Sequence, residues 1–207
     1  MKLFCSIALV LIFNNGNAVL ASSITPELSG FSFSVVESSN SNYEHDTIAI
    51  RAHFNYASWQ VKGWDFHWTL EPNINWYEHE LNEPLYIKKD EPNYLERREK
   101  FTEGIDFVLA GIEGAIIARK KLSERGHLEL SAGLGIAYLE EESERQAKGF
   151  TFTETGRIGY SLDTSLGEFF LGYTIMHVSN AGLKNPNGGY DLSGVTIRYQ
   201  KRLDLLP

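Results

Sequence analysis

GHLELSAGLGIAYLE, residues 126–140, alternates too regularly to be anything but a strand with two unlike faces. Successive side chains of a strand leave opposite faces. Leu128, Leu130, Ala132, Leu134, Ile136 and Tyr138 therefore share one side, and Glu129, Ser131, Gly133, Gly135 and Ala137 share the other. One face is apolar and the other small or polar. The run at 150–162 repeats the pattern: Phe150, Phe152, Ile158, Tyr160 and Leu162 stand against Thr151, Thr153, Thr155, Arg157 and Ser161, with Glu154 the exception on the apolar side.

Outward from these two, similar runs fall near 29–38, 46–57, 60–77, 104–119, 167–179 and 190–200, separated by turn or charged segments. Eight alternating runs indicate an all-β chain, as a sandwich or a barrel. A soluble sandwich turns its apolar face inward, whereas a membrane barrel turns it toward lipid, and periodicity alone fits both. Connector length separates them. One set of connectors falls near 39–45, 78–103, 141–149 and 180–189, the other near 58–59, 120–125 and 163–166. Long loops at one end and short turns at the other are the asymmetry of an outer-membrane barrel. Trp59, Trp64, Trp68, Trp76 and Tyr77 suit either an interfacial girdle or ordinary cross-strand packing. In the charged loop 78–100, acids interleave with Lys88, Lys89, Arg97 and Arg98. It reads as a solvated connector rather than a phosphate site.

Residues 1–21 read as a secretory signal: Lys2 is the positive start, Leu3 to Phe13 the apolar core, and Ala18 and Ala21 suit cleavage, with the cut expected after Ala21. Residues 22–207 then form one barrel domain. Cys5 lies within the apolar run of the signal, so the remainder has no cysteine and must be held by burial and sheet hydrogen bonds. The 207-residue chain carries a formal charge of −8; Lys2 is the only charge in the first 21 residues, so the rest carries −9. That balance argues against a nucleic-acid partner. The later apolar stretches are broken by Gly111, Glu113, Gly133 or Gly135, far short of the roughly 20 apolar residues a spanning helix needs.

The chemistry lies in HVSNAGLKNPNGGYD, residues 177–191. His177 and Ser179 share a face of one strand, the turn-rich stretch 185–189 reverses the chain, and Asp191 returns beside them. A serine hydroxyl becomes a nucleophile when a histidine takes its proton, and a carboxylate fixes the tautomer of that histidine. His177 and Ser179 continue the parity of Phe169, Leu171, Tyr173 and Ile175, and Asp191 and Ser193 that of Val195, Ile197 and Tyr199. If these stripes face lipid, the three residues open sideways into the membrane, and the substrate is a membrane lipid.

This run resembles the signature of the PagL-type lipid A 3-O-deacylases, carried here by His177, Ser179, Asn180, Ala181, Gly182, Leu183, Lys184, Pro186, Asn187 and Gly189. The resemblance implies an eight-stranded antiparallel transmembrane β-barrel of the Gram-negative outer membrane, with lipid A of lipopolysaccharide as substrate and the surrounding lipid as setting. It implies Ser179 as nucleophile, His177 as general base and Asp191 as its orienting acid, with Asn180 and the Gly182 N–H stabilising the oxyanion. It requires no cofactor and no metal. His45, His53, His67, His79 and His127 show no ligand spacing, and nothing in the sequence supports a homodimer.

Two departures stand out. The family's acid is usually glutamate; Asp191 is one methylene shorter, so its carboxylate is expected to fall about 1.5 Å short of His177 unless the hairpin shifts. The chain also runs past Tyr199 to Pro207, where such barrels commonly end in an aromatic residue. The alternatives are a non-catalytic barrel with a structural or adhesive role and an outer-membrane phospholipase.

Overall fold

Eight antiparallel strands pair in sequence order and close, β1 against β8, into a barrel in the computed structural model. Residues 27–39 and 42–200 are described; the expected signal segment and the tail after 200 lie outside them. The strands are β1 Glu27–Ser39, β2 Tyr43–Val61, β3 Trp64–Leu81, β4 Ile105–Lys121, β5 Gly126–Leu139, β6 Gly149–Thr164, β7 Gly167–Ser179 and β8 Tyr190–Gln200. One α-helix, α1 Tyr94–Thr102, follows a 3-10 turn at Pro84–Tyr86 in the long β3–β4 connection.

The two faces resolve the choice left open by the alternation. Leu134 is 69% exposed and Leu171 60%, whereas Arg51 is 2% and Glu113 0% exposed. An unpaired buried ion is very costly, and the interior charges are paired. Arg51 Nη1 lies 3.1 Å from Glu113 Oε2, and Arg157 bridges Glu71 Oε2 at 3.1 Å and Glu113 Oε1 at 3.0 Å. Arg198 grips both oxygens of Glu129 at 2.6 Å each. Apolar outside and polar inside is the pattern of a transmembrane barrel. Toward the outer end the interior becomes apolar, with Tyr77, Phe107, Leu109, Leu139, Val178 and Tyr190 packed together.

The β2–β3 turn lies at Lys62-Gly63, four residues later than expected, with Val61 paired to Trp64. Both turn residues have positive φ, 50° and 73°, the combination that a tight two-residue hairpin requires. β2 is accordingly longer than its pattern indicated, and β3 keeps its expected length but begins and ends four residues later. The ladder between them skips from Arg51↔Asn73 to Phe54↔Leu70, around Pro72, which has no N–H to donate. Tyr77, grouped with the possible girdle aromatics, faces the interior instead, while Trp68 and Trp76 face out.

The charged connector is also more ordered than its composition indicated. Phe101 on α1 packs with Tyr43, Leu81 and Ile87 over the barrel mouth. Arg97 pairs with Glu91 at 2.7 Å, Arg98 donates to the Ile87 carbonyl at 2.9 Å, and Lys100 reaches Glu141 at 3.0 Å. That last contact draws the Glu141 carboxyl below its usual range. These cations brace the cap.

Candidate active site

The β7–β8 hairpin builds the site from its register. His177 lies directly across from Asp191, and both side chains leave the outer face, as the parity with Ile175 and Ser193 demands. His177 Nδ1 and Asp191 Oδ1 are 2.7 Å apart, with the two side chains 34% and 65% exposed. The shorter acid thus reaches the imidazole without the expected gap. Because Nδ1 faces the carboxylate, Nε2 is left to receive a proton.

Ser179 is the last residue of β7, two positions beyond His177 on the same half-buried face. Its carbonyl accepts from Thr151 Oγ1 at 2.8 Å, which ties the strand end to β6. Among the described residues no hydrogen bond joins its hydroxyl to His177. Such contacts are often long in enzymes without substrate and tighten in the complex.

The loop after Ser179 folds around Asn180, which is 1% exposed. Asn180 Nδ2 donates to Lys184 O at 2.6 Å and Pro186 O at 3.4 Å, and its Oδ1 accepts from the Gly182 N–H at 3.1 Å. Both expected oxyanion donors are therefore engaged in shaping the loop. Gly189, at φ 59°, brings the chain back beside the His177–Asp191 pair. A Cβ there would lie 3.2 Å from His177 Cε1 and 3.3 Å from Ser179 Cβ, so only glycine fits at ease. From the β5–β6 loop, Arg145 Nη2 donates to Gly188 O at 2.7 Å, Gly188 N returns a bond to Arg145 O at 2.6 Å, and Ala147 N reaches Pro186 O at 2.9 Å.

Glu154 is a neighbour whose place the sequence pattern signalled without explaining. It is the acid on the apolar face of β6, and it lies across from His177 on the side opposite Asp191. A surface depression of about 500 Å³ runs beside the pair, lined by Glu37, Glu154, Ile175, His177, Asp191 and Ser193 among others. Ser179 lies beyond its lining. Below this level the outer face is apolar, through Tyr173, Leu171, Val195 and Ile197; at the outer strand ends it turns acidic, at Glu37, Asp46, Glu78 and Asp106. The pair thus stands where hydrocarbon gives way to headgroups. A hydroxyl, an imidazole and a carboxylate at that boundary suit acyl transfer from an ester whose chain lies in the hydrocarbon.

The model of the family described as lipid A 3-O-deacylase (PagL) matches residues 30–200. No curated protein sequence matches the chain. Among solved structures, the crystal structure of the outer membrane enzyme PagL superposes with a TM-score of 0.58 at 14% identity, covering 81% of this chain and 98% of that one. A de novo designed transmembrane β-barrel aligns at 14% identity with a TM-score of 0.33, over 84% of this chain and 98% of its own.

Proposed function

Because the chain belongs to the lipid A 3-O-deacylase (PagL) family, we propose that it is a serine esterase that removes the 3-position acyl chain of lipid A. Its setting is the outer membrane of a Gram-negative cell. The observation that carries the reading is the 2.7 Å His177–Asp191 pair on the lipid-facing side, at the top of the apolar stripe.

Ser179 Oγ attacks the ester carbonyl carbon as His177 Nε2 takes its proton, while Asp191 holds the ring and stabilises its cationic form. The tetrahedral oxyanion is assigned to Asn180 and the Gly182 N–H. To serve it, Asn180 Nδ2 exchanges its longer bond, the 3.4 Å contact to Pro186 O, and the Gly182 N–H its 3.1 Å bond to Asn180 Oδ1, for the developing charge. Collapse breaks the bond to the lipid A oxygen, which leaves with the proton from His177 Nε2. An acyl group then sits on Ser179. Water, deprotonated by the same nitrogen, attacks the acyl carbonyl, frees a 3-hydroxy fatty acid and restores the serine. No step needs a metal or cofactor.

The family description favours lipid A over phospholipid as substrate. The non-catalytic alternative draws on one observation, that Ser179 is not hydrogen-bonded to His177 here. A serine-reactive phosphonate tests it on the folded barrel, because labelling requires an activated hydroxyl. Covalent adduct at Ser179, lost in His177→Ala, is the expected result; an unlabelled wild-type barrel supports the non-catalytic reading.

A further inference from the structure

We propose that His45, His79 and Glu144 form a zinc site inside the outer mouth of the barrel, separate from the esterase residues and independent of the reading given to them. His45 and His79 are direct cross-strand partners near the outer ends of β2 and β3. Both rings point inward and are buried at 0% and 3% exposure. Glu144 descends from the β5–β6 loop, and candidate ligand atoms of the three residues lie within 4.8 Å of one another.

The rings are held rather than merely adjacent. His45 stacks on His79 with centroids 4.3 Å apart and on Tyr190 at 4.5 Å. Stacking fixes the ring plane and leaves the nitrogens at its edge available. His79 Nδ1 lies 3.0 Å from the Glu44 carbonyl, so Nδ1 carries a proton and Nε2 is the nitrogen that faces the cluster. A backbone carbonyl orienting the far nitrogen is the usual support of a metal-binding histidine.

The buried polar atoms point the same way. Neither ring nitrogen of His45 and neither carboxylate oxygen of Glu144 has a hydrogen-bond partner among the described residues. Buried polar side-chain atoms are nearly always paired, and here four lie in one cluster. His79 Nε2 and Glu144 Oε2 approach to 2.5 Å, an ion-pair distance, yet they are not aligned as a hydrogen bond. Ligands about 2.0–2.1 Å from a tetrahedral zinc are roughly 3.3 Å apart, so the pair opens by less than about 1 Å to admit the ion.

The donor set selects the metal class. Two imidazole nitrogens and one carboxylate suit zinc, whereas calcium and magnesium prefer oxygen ligands throughout. Three protein ligands leave the fourth position for water. No spacing in the sequence announced this site, because closure of the barrel and a loop between distant strands bring its members together. Its reach extends to the catalytic hairpin: Glu144 is followed by Arg145, which holds the Gly188 carbonyl, and Tyr190 precedes Asp191. Zinc would clamp β2 and β3 to the loop that braces the turn between Ser179 and Asp191.

The test uses the tag-free chain, folded in detergent micelles, stripped with chelator and titrated with zinc against a chromophoric competitor. The expected result is one zinc per barrel, with affinity weakened by roughly 100-fold or more in Glu144→Gln and in His45→Gln and unchanged in His177→Ala. Glu144 lies on a loop, so heat-modified gel migration shows whether its variant keeps the barrel folded. Cobalt in place of zinc should give a tetrahedral visible spectrum that Glu144→Gln abolishes. Absence of stoichiometric zinc would leave a simple His79–Glu144 ion pair and overturn the proposal. Equal zinc binding by the folded Glu144→Gln and His45→Gln variants, or its loss in His177→Ala, would overturn it too.

Discussion

Replacing Asp191 by asparagine removes the charge opposite His177 with little change in shape. The charge centres of an imidazolium and a carboxylate in such a contact are about 4 Å apart, worth roughly 4 kcal/mol at an effective dielectric of 20 and roughly 1 kcal/mol in water. With Asp191 65% exposed and His177 34% exposed, solvent screening places the contribution toward the lower end, at about 2 kcal/mol. Lost from the transition state alone, that is a roughly 30-fold fall in kcat/KM. The assay is release of 3-hydroxy fatty acid from purified lipopolysaccharide in mixed micelles, normalised to folded barrel. Asp191→Glu should stay within about 5-fold of wild type, since the longer acid needs only a rotamer adjustment. Glu154→Gln should change the rate less than about 3-fold, because Glu154 makes no hydrogen bond to His177 among the described residues. If Asp191→Asn is within about 3-fold of wild type while Glu154→Gln collapses the rate, Asp191 does not orient His177 and that role belongs to Glu154 on β6.

Two further perturbations probe the hairpin and the membrane face. Gly189→Ala places a Cβ 3.0 Å from Val178 O and 3.2 Å from His177 Cε1 at a φ of 59°. It should lower kcat by about 10-fold or more while the unfolding midpoint in denaturant moves modestly; intact kcat would show that the loop does not fix the ring. Leu171 stands four positions past Gly167, roughly 10 Å above the inner end of a tilted strand and near the middle of the apolar band. Leu171→Arg should cost about 2–4 kcal/mol in equilibrium unfolding from lipid vesicles; a change under about 0.5 kcal/mol, as at an aqueous surface, would contradict the lipid-facing assignment.

The alternation in 126–140 and 150–162 made the strands legible, since a period of two needs only local sequence. Which face meets lipid was not local. It became evident where Glu71, Glu113, Arg51 and Arg157 close on one another across four strands. The 177–191 hairpin was legible because its partners are 14 residues apart, joined by turn residues that fix the register. Its one mistaken expectation, a gap before Asp191, came from comparing side-chain lengths without the cross-strand register that sets the residues face to face. The turn at Lys62-Gly63 was missed because Lys62 carries no turn signal of its own. α1 was hidden in a charged segment because Phe101 is the one residue it buries. Glu154 was visible as a break in pattern, but its meaning depends on β6 lying beside β7. Likewise His45, His79 and Glu144 share no ligand spacing: the β2–β3 register sets the two histidines side by side, and only the closed barrel brings the β5–β6 loop with Glu144 to them.

The esterase activity proposed for this outer-membrane barrel turns on Ser179 as the nucleophile that removes the 3-position chain of lipid A. The direct test is the mass of lipid A extracted from a Gram-negative host of known lipid A structure, expressing the wild-type chain or Ser179→Ala, with both barrels shown to be folded in the outer membrane. The expected result is loss of one 3-hydroxyacyl group in the wild type and an unmodified mass in Ser179→Ala. An unmodified lipid A from both, or the same loss from both, would contradict it.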